Sequence, residues 1–238
     1  MKKTTRTFTA EMLREVIEYI RARITEITET EDVPRVKIVG GNTKLGTIPA
    51  FNLPPLVTCR NCAACSKHCY AVKDYLNYRV KAVSTNHARN YAALQNNIML
   101  AQRDIERYLD RHQPPFFRIH SSGDFDVTID GNPYAYALMW YGIAKRHPET
   151  RFLAFTKHYD VAREINFDRL ANFSLVLSEW TDVLTAPADL KDRYHTSRAL
   201  VNLSDARPDE IICPGNCTTC GACWALDEIG KNVAFEIH

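Results

Sequence analysis

All eight cysteines of this 238-residue chain fall in two short runs, residues 59–69 ("CRNCAACSKHC") and 213–223 ("CPGNCTTCGAC"), with none between. The first run spaces Cys59, Cys62, Cys65 and Cys69 as C-x2-C-x2-C-x3-C. Bacterial ferredoxins wrap cubane iron–sulfur clusters with this spacing, because short loops set successive thiolates on different corners of one compact cube. Structural zinc more often uses two C-x2-C pairs a dozen or more residues apart. The second run, through Cys213, Cys217, Cys220 and Cys223, is the mirror image, C-x3-C-x2-C-x2-C. Eight thiolates suit two 4Fe-4S clusters, or one if a single run is loaded.

Two ligand assignments follow from this spacing. In two-cluster ferredoxins the cysteine set apart by three residues binds the other cluster. The same crossing here joins Cys59, Cys62 and Cys65 with Cys213, and Cys217, Cys220 and Cys223 with Cys69. The alternative closes each run on its own cluster. Cys213, Cys217 and Cys220 also match the three-cysteine spacing of radical S-adenosylmethionine enzymes, whose cluster keeps one iron open. Against that cofactor, Cys223 is placed to fill the open iron and the run lies late in the chain.

Composition narrows the setting. With 45% hydrophobic and 24% charged residues, the chain can bury one sizeable core, and we expect a single α/β domain over 1–238. A net charge of +2 leaves a nucleic-acid partner unsupported. Arg79, Lys81 and Arg89 in residues 77–95 read as a solvated helix face. The N-terminal segment starts basic, but Glu11, Arg14, Glu15 and Glu18 interrupt its apolar residues, so neither a signal peptide nor a membrane span is expected. A cytoplasmic chain is the expectation, and reducing conditions there favour metal or redox chemistry over disulfides.

Periodicity sets the elements. Leu13, Val16, Ile17, Ile20, Ile24 and Ile27 recur at helical spacing and predict an N-terminal helix ending before the acidic residues 28–32. Residues 35–41 read as a short strand and 40–55 as a loop punctuated by Gly and Pro. Residues 70–111 lack both breakers and predict two or three helices. Strands are then expected at 116–119, 151–155 and 173–177, helices at 132–147 and 161–167, a loop over 178–182, and a last apolar stretch at 198–203. Asn132 is the candidate cap and Pro133 the first-turn residue of the helix at 132–147. This alternation predicts βαβ units in a parallel sheet, open or closed as a partial or complete TIM-like barrel, whose cysteine-rich loops bind the iron–sulfur clusters. In a closed barrel the first and last strands are neighbours, so the two runs would latch the closure.

In parallel α/β folds reactive groups collect beyond the carboxyl ends of the strands. Those positions offer His120, Ser121, Ser122 and Asp124, then Thr156, Lys157 and His158, then Ser178 and Glu179. His120, Asp124 and Lys157 are the candidate catalytic residues for a small anionic or amino-acid-like ligand. The opposing reading makes Asp124 a turn former and pairs Lys157 with Glu179 across strands. Tyr70 and Trp224, each next to a cysteine, are candidates to shield a cluster from water.

The segments "NTKLGTIPAFNLPPLVTC", "CYA", "RIHSSGDF", "FTKH" and "CPGNC", in this order, resemble the gene product 88 family of bacteriophages and bacteria. The resemblance spans about Gly41 to Trp224. It implies a phage or mobile-element origin, residence in the bacterial host's cytoplasm and a cysteine-bound iron–sulfur centre. The expectation is an iron–sulfur redox protein or enzyme acting on a small ligand or an electron-transfer partner. The alternative is a non-catalytic protein whose structural clusters, or zincs, serve binding or sensing.

Overall fold

The structure, a computed structural model, describes residues 7–76, 81–180 and 183–237. Arg79, the first six residues, and positions 181 and 182 of the loop expected over 178–182 lie outside the described residues. Helix α1 (Ala10–Thr30) is capped by Thr9, whose hydroxyl accepts the Met12 N–H. Its buried stripe, Val16, Ile20 and Ile27, packs on residues of α2 (Tyr70–Leu76) and α3 (Lys81–Asn96). The helix runs into the acidic stretch expected to end it. Thr28 and Thr30 donate back to the Ile24 and Glu26 carbonyls, and Arg89 neutralises Glu31 at 2.5 Å.

Among the described residues one eight-stranded sheet organises the rest. Its strands are β1 (Val39–Gly40), β2 (Pro49–Phe51), β3 (Phe116–Ile119), β4 (Arg151–Thr156), β5 (Phe173–Trp180), β6 (Thr196–Leu200), β7 (Glu210–Ile212) and β8 (Asn232–Glu236). The order is β1-β2-β3-β4-β5-β6-β8-β7, with β1 antiparallel to β2 and every other pair parallel. Strand β2 falls inside the expected loop, because Pro49 takes the first position, where a missing N–H is tolerated. Strand β5 extends through Ser178, Glu179 and Trp180, which were expected in a loop.

The sheet does not close. Strands β1 and β7 are its two edges, of two and three residues, too short to build a ladder across a barrel seam. The expected closure by neighbouring first and last strands is thereby corrected, and with it the idea that the cysteine runs latch such a closure.

Alternation along the strands assigns two faces. Phe51, Phe117, Ile119, Phe152, Ala154, Phe173 and Leu175 face a core shared with α4 (Ile98–His112), α5 (Ala135–Arg146), α6 (Tyr159–Glu164) and α7 (Ala188–Lys191). Asn132 accepts the Tyr134 N–H instead of capping α5, which starts later than expected. Ala50, Leu153, Val176 and Val233 face the other way. There Leu45, Ile48, Trp224, Leu226 and the half-buried Cys213, Cys217 and Cys223 cover them, carried by α8 (Cys217–Cys220), α9 (Leu226–Ile229) and adjoining turns. No helix of the described residues is long and apolar enough to cross a membrane.

Candidate metal centres

The first cysteine set lies at the carboxyl-end rim of the parallel strands. It follows β2 directly and winds through two short 3-10 turns, Cys62–Ala64 and Ser66–His68. Polar hubs pin it there. Asn52 accepts the N–H groups of Ser121 and Ser122 at 2.7 and 3.3 Å and the Ser121 hydroxyl at 2.8 Å, tying the end of β2 to the loop after β3. The Thr58 hydroxyl donates to the Pro54 carbonyl at 2.7 Å, and Asn61 Nδ2 donates to the Lys157 carbonyl at 2.8 Å. His68 stacks on Trp180 at the end of β5, ring centroids 6.3 Å apart. Gly123, at φ +87°, lets this loop approach closely: a Cβ there would meet Leu53 Cβ and Thr58 Oγ1 at 2.7 Å.

The second set lies against the sheet face opposite α4–α6. The Cys213 N–H extends the β7–β8 ladder by donating to the Ala234 carbonyl, and the Cys217 N–H donates to the Lys44 carbonyl, both at 2.8 Å. Asn216 caps α8 by accepting the Thr219 N–H. Trp224, 4% exposed, packs on Phe116 with centroids 5.3 Å apart, and its Nε1–H donates to the Phe117 carbonyl. All eight cysteines are free thiols.

Burial dominates the electrostatics of both sets. Burial pushes Cys59 well above its usual range, with Asp124, Cys69 and Cys65 adding to the shift and Lys157 opposing it. Burial raises Cys62 and Cys69 in the same direction. In the second set burial raises Cys217 and takes Cys223 up to about 11, with Arg118 opposing and the neighbouring thiols adding. Burial is the largest influence on each shifted thiol, ahead of Asp124 and Lys157 at Cys59 and of Arg118 at Cys217 and Cys223. Each set also faces one cation. Burial works against the Lys157 ammonium, but Cys65, Asp124, Cys59 and Cys69 outweigh it and hold it above its usual value. Burial lowers the Arg118 guanidinium, against Tyr70, Cys223, Cys217 and Cys213.

The expected rim residues separate. Asp124 is the hub joining β3 to β4: its carboxylate accepts the Thr156 hydroxyl at 2.6 Å and the backbone N–H groups of Phe125 and Lys157 at 2.7 and 2.8 Å. It therefore stands beside Lys157 and Cys59. His120 does not join them. Its left-handed backbone, φ 61°, turns the imidazole towards the helices, where Nε2 meets the Tyr136 hydroxyl at 2.6 Å and burial takes its pKa down to about 3. His158 is buried with neither ring nitrogen hydrogen-bonded. Glu179 pairs with Lys191 at 2.6 Å instead of Lys157. Tyr70 is 44% exposed, so it covers its set on one side, while Trp224 is committed to the core. Arg118 was missed, although its place between Phe117 and Ile119 in an apolar strand signals a cation on the opposite face.

The gene product 88 profile matches residues 25–226, a span that contains both cysteine sets and Trp224. The chain belongs to the gene product 88 family. It is similar to the Gene 88 protein of Mycobacterium phage L5, with 28% identity over 214 residues, covering 77% of this chain and 86% of that protein. No solved structure matches it.

A zinc held by Zn–S bonds of about 2.3 Å needs its four thiolates drawn together at one point. Among the described residues no three His, Cys, Asp or Glu side chains are so placed for a metal ion. A cubane carries its irons between the thiolates and holds them farther apart. Among the described residues neither four-thiol set is converged as a single-ion site.

Proposed function

We propose that each cysteine set holds a 4Fe-4S cluster and that the protein is a cytoplasmic iron–sulfur redox protein or enzyme of phage type. In this reading the sheet is a partial TIM-like barrel, and a small ligand meets the cluster at its rim. The supporting observation is the cation beside each set. Arg118 Nε–H donates to the His120 backbone carbonyl at 2.9 Å, and its guanidinium lies over the Phe155 ring, 4.2 Å from the centroid. Lys157 lies in the field of the Asp124 carboxylate. Arg118, a partly buried cation, needs a counter-charge, and thiols whose pKa burial raises do not supply it. Four thiolates ligating a cluster carry net negative charge and do. Lys157 and Arg118 then act as outer residues that set the potential, while Asp124 holds the β3 and β4 loops in place.

A second reading applies to the 213–223 set alone. Its burial with Trp224 and Leu226 against the sheet favours a structural cluster that completes the core. Anaerobic dithionite titration followed by visible absorption tests the redox reading. Reversible bleaching on reduction and recovery on reoxidation is expected. An absorption spectrum without a visible band, or one that reduction leaves unchanged, contradicts it.

A further inference from the structure

Among the described residues Arg118 is the one half-buried arginine without a carboxylate partner. The others pair, Arg23 with Glu26, Arg89 with Glu31, Arg193 with Asp168 and Arg198 with Glu210. Its register partners on β2 and β4 are Ala50 and Leu153, whose side chains offer no acceptor. The guanidinium is nevertheless held in place. Nε–H donates to the His120 carbonyl at 2.9 Å, and the central carbon lies over the Phe155 ring, 4.2 Å from its centroid. His120 is left-handed at φ 61°, an unfavourable backbone for a residue with a Cβ, and this turn supplies that carbonyl. One nitrogen is thereby committed and one face is covered by a ring. The Nη1–Nη2 edge keeps its N–H donors, with no protein acceptor among the described residues. Arg118 is the penultimate residue of β3 and reaches forward to the strand's end, so its guanidinium stands at the carboxyl-end rim, where parallel α/β folds take their ligands.

We infer that Arg118 docks the carboxylate or phosphate group of a small ligand, received end-on by Nη1 and Nη2. This deepens the proposed function by naming the charged group of the rim ligand. It rests on that reading's ligand at the rim and needs no cluster. A loaded centre balances the charge of Arg118, but the Nη donors still need oxygen acceptors, since sulfur accepts only weakly. A planar fork already fixed at one nitrogen suits the paired oxygens of a carboxylate or phosphate, which a point-charge ammonium cannot match. Docking is non-covalent and moves neither proton nor electron.

Isothermal titration calorimetry of the anaerobically purified full chain tests this, with sodium phosphate and sodium malonate as separate probes against sodium chloride at matched ionic strength. Saturable binding of at least one oxyanion is expected, and the one that binds tells phosphate from carboxylate. Arg118→Met should abolish the binding, and Arg118→Lys should weaken it about tenfold or more, as one charge-assisted hydrogen bond is lost. Arg193→Met removes a guanidinium already paired with Asp168 and should leave it unchanged. No saturable binding of either oxyanion to the wild-type chain overturns the inference, even if the Arg118 variants fail to fold. Binding that survives in folded Arg118→Met, or that Arg193→Met reduces equally, overturns the assignment to Arg118. Iron analysis of the same sample separates this from the cluster proposal. Oxyanion binding to an iron-free chain supports the docking and removes the clusters, whereas a loaded chain that binds neither oxyanion removes the docking and leaves the clusters standing.

Discussion

The two cysteine sets carry the same ligands in mirrored spacing but sit in opposite surroundings. The rim set is held by polar hubs, Asn52, Thr58, Asn61 and Asp124, and by short turns, with Cys69 packed against the apolar cluster of α1 and α2. The face set is held by Trp224, Leu226, Phe116 and the sheet itself, with two backbone bonds fixing Cys213 and Cys217. A polar, hydrogen-bonded surround keeps a centre open to ligands and tunable by nearby charge. An apolar surround excludes water and ties the centre to folding. Under the proposed function, this comparison would put reactivity at the rim and stability at the face.

The largest test of that division is Cys223→Ser against Cys65→Ser. If the face set holds the proposed cluster, the first should cost about 4 kcal/mol or more, since a lost structural centre belongs among the severe destabilisations. Cys65→Ser should deplete the rim iron while most of the thermal transition survives. Equal losses in calorimetry would break the comparison.

Acid should act on the rim side next. Burial takes His87, which meets the Tyr75 hydroxyl of α2 at 2.9 Å, down to about 4 from 6.5. The unfolded chain binds this proton first, so the contribution is complete above about pH 6.5 and is lost as pH falls towards 4. The slope is roughly 1.4 kcal/mol per unit. His120, lowered in the same direction, adds to it. Melting temperature measured from pH 7 to 4 should fall, and His87→Phe should flatten part of that fall. An unchanged slope in the variant would remove His87 from the account.

Two glycines sharpen the contrast further. Gly123→Ala places a Cβ against Leu53 and Thr58 at a positive φ and should cost about 2–3 kcal/mol. Gly46→Ala, beside the face set, meets mainly the Thr218 side chain and should cost about 1 kcal/mol. Denaturant midpoints in that order support the tighter rim loop. Smallest of all, Arg163→Ala breaks an exposed pair with Asp189 at 3.1 Å and should change stability by less than about 0.5 kcal/mol.

Strongly periodic segments were legible in the sequence. The helices over 70–112 and the strands β3 to β5 announce themselves through unbroken helical spacing or short β-rich runs between loops. Strands β2, β7 and β8 did not. They are three to five residues long, and β2 starts at a proline, so tertiary pairing makes them strands. Openness of the sheet was equally hidden, because βαβ alternation is the same in open and closed forms and only the two edge strands decide. Cysteine spacing identified both sets, and strand-end position found Asp124 and Lys157. His120, expected beside them, is turned away because its left-handed backbone sends the ring to the Tyr136 side, and Arg118 escaped because its significance depends on what covers the second face.

Iron, sulfide and zinc analysis of the anaerobically purified protein tests the central claim most directly. Roughly eight irons and eight sulfides per chain, with negligible zinc, is the predicted result. Two zincs without sulfide would contradict it and leave both cysteine sets as structural metal sites.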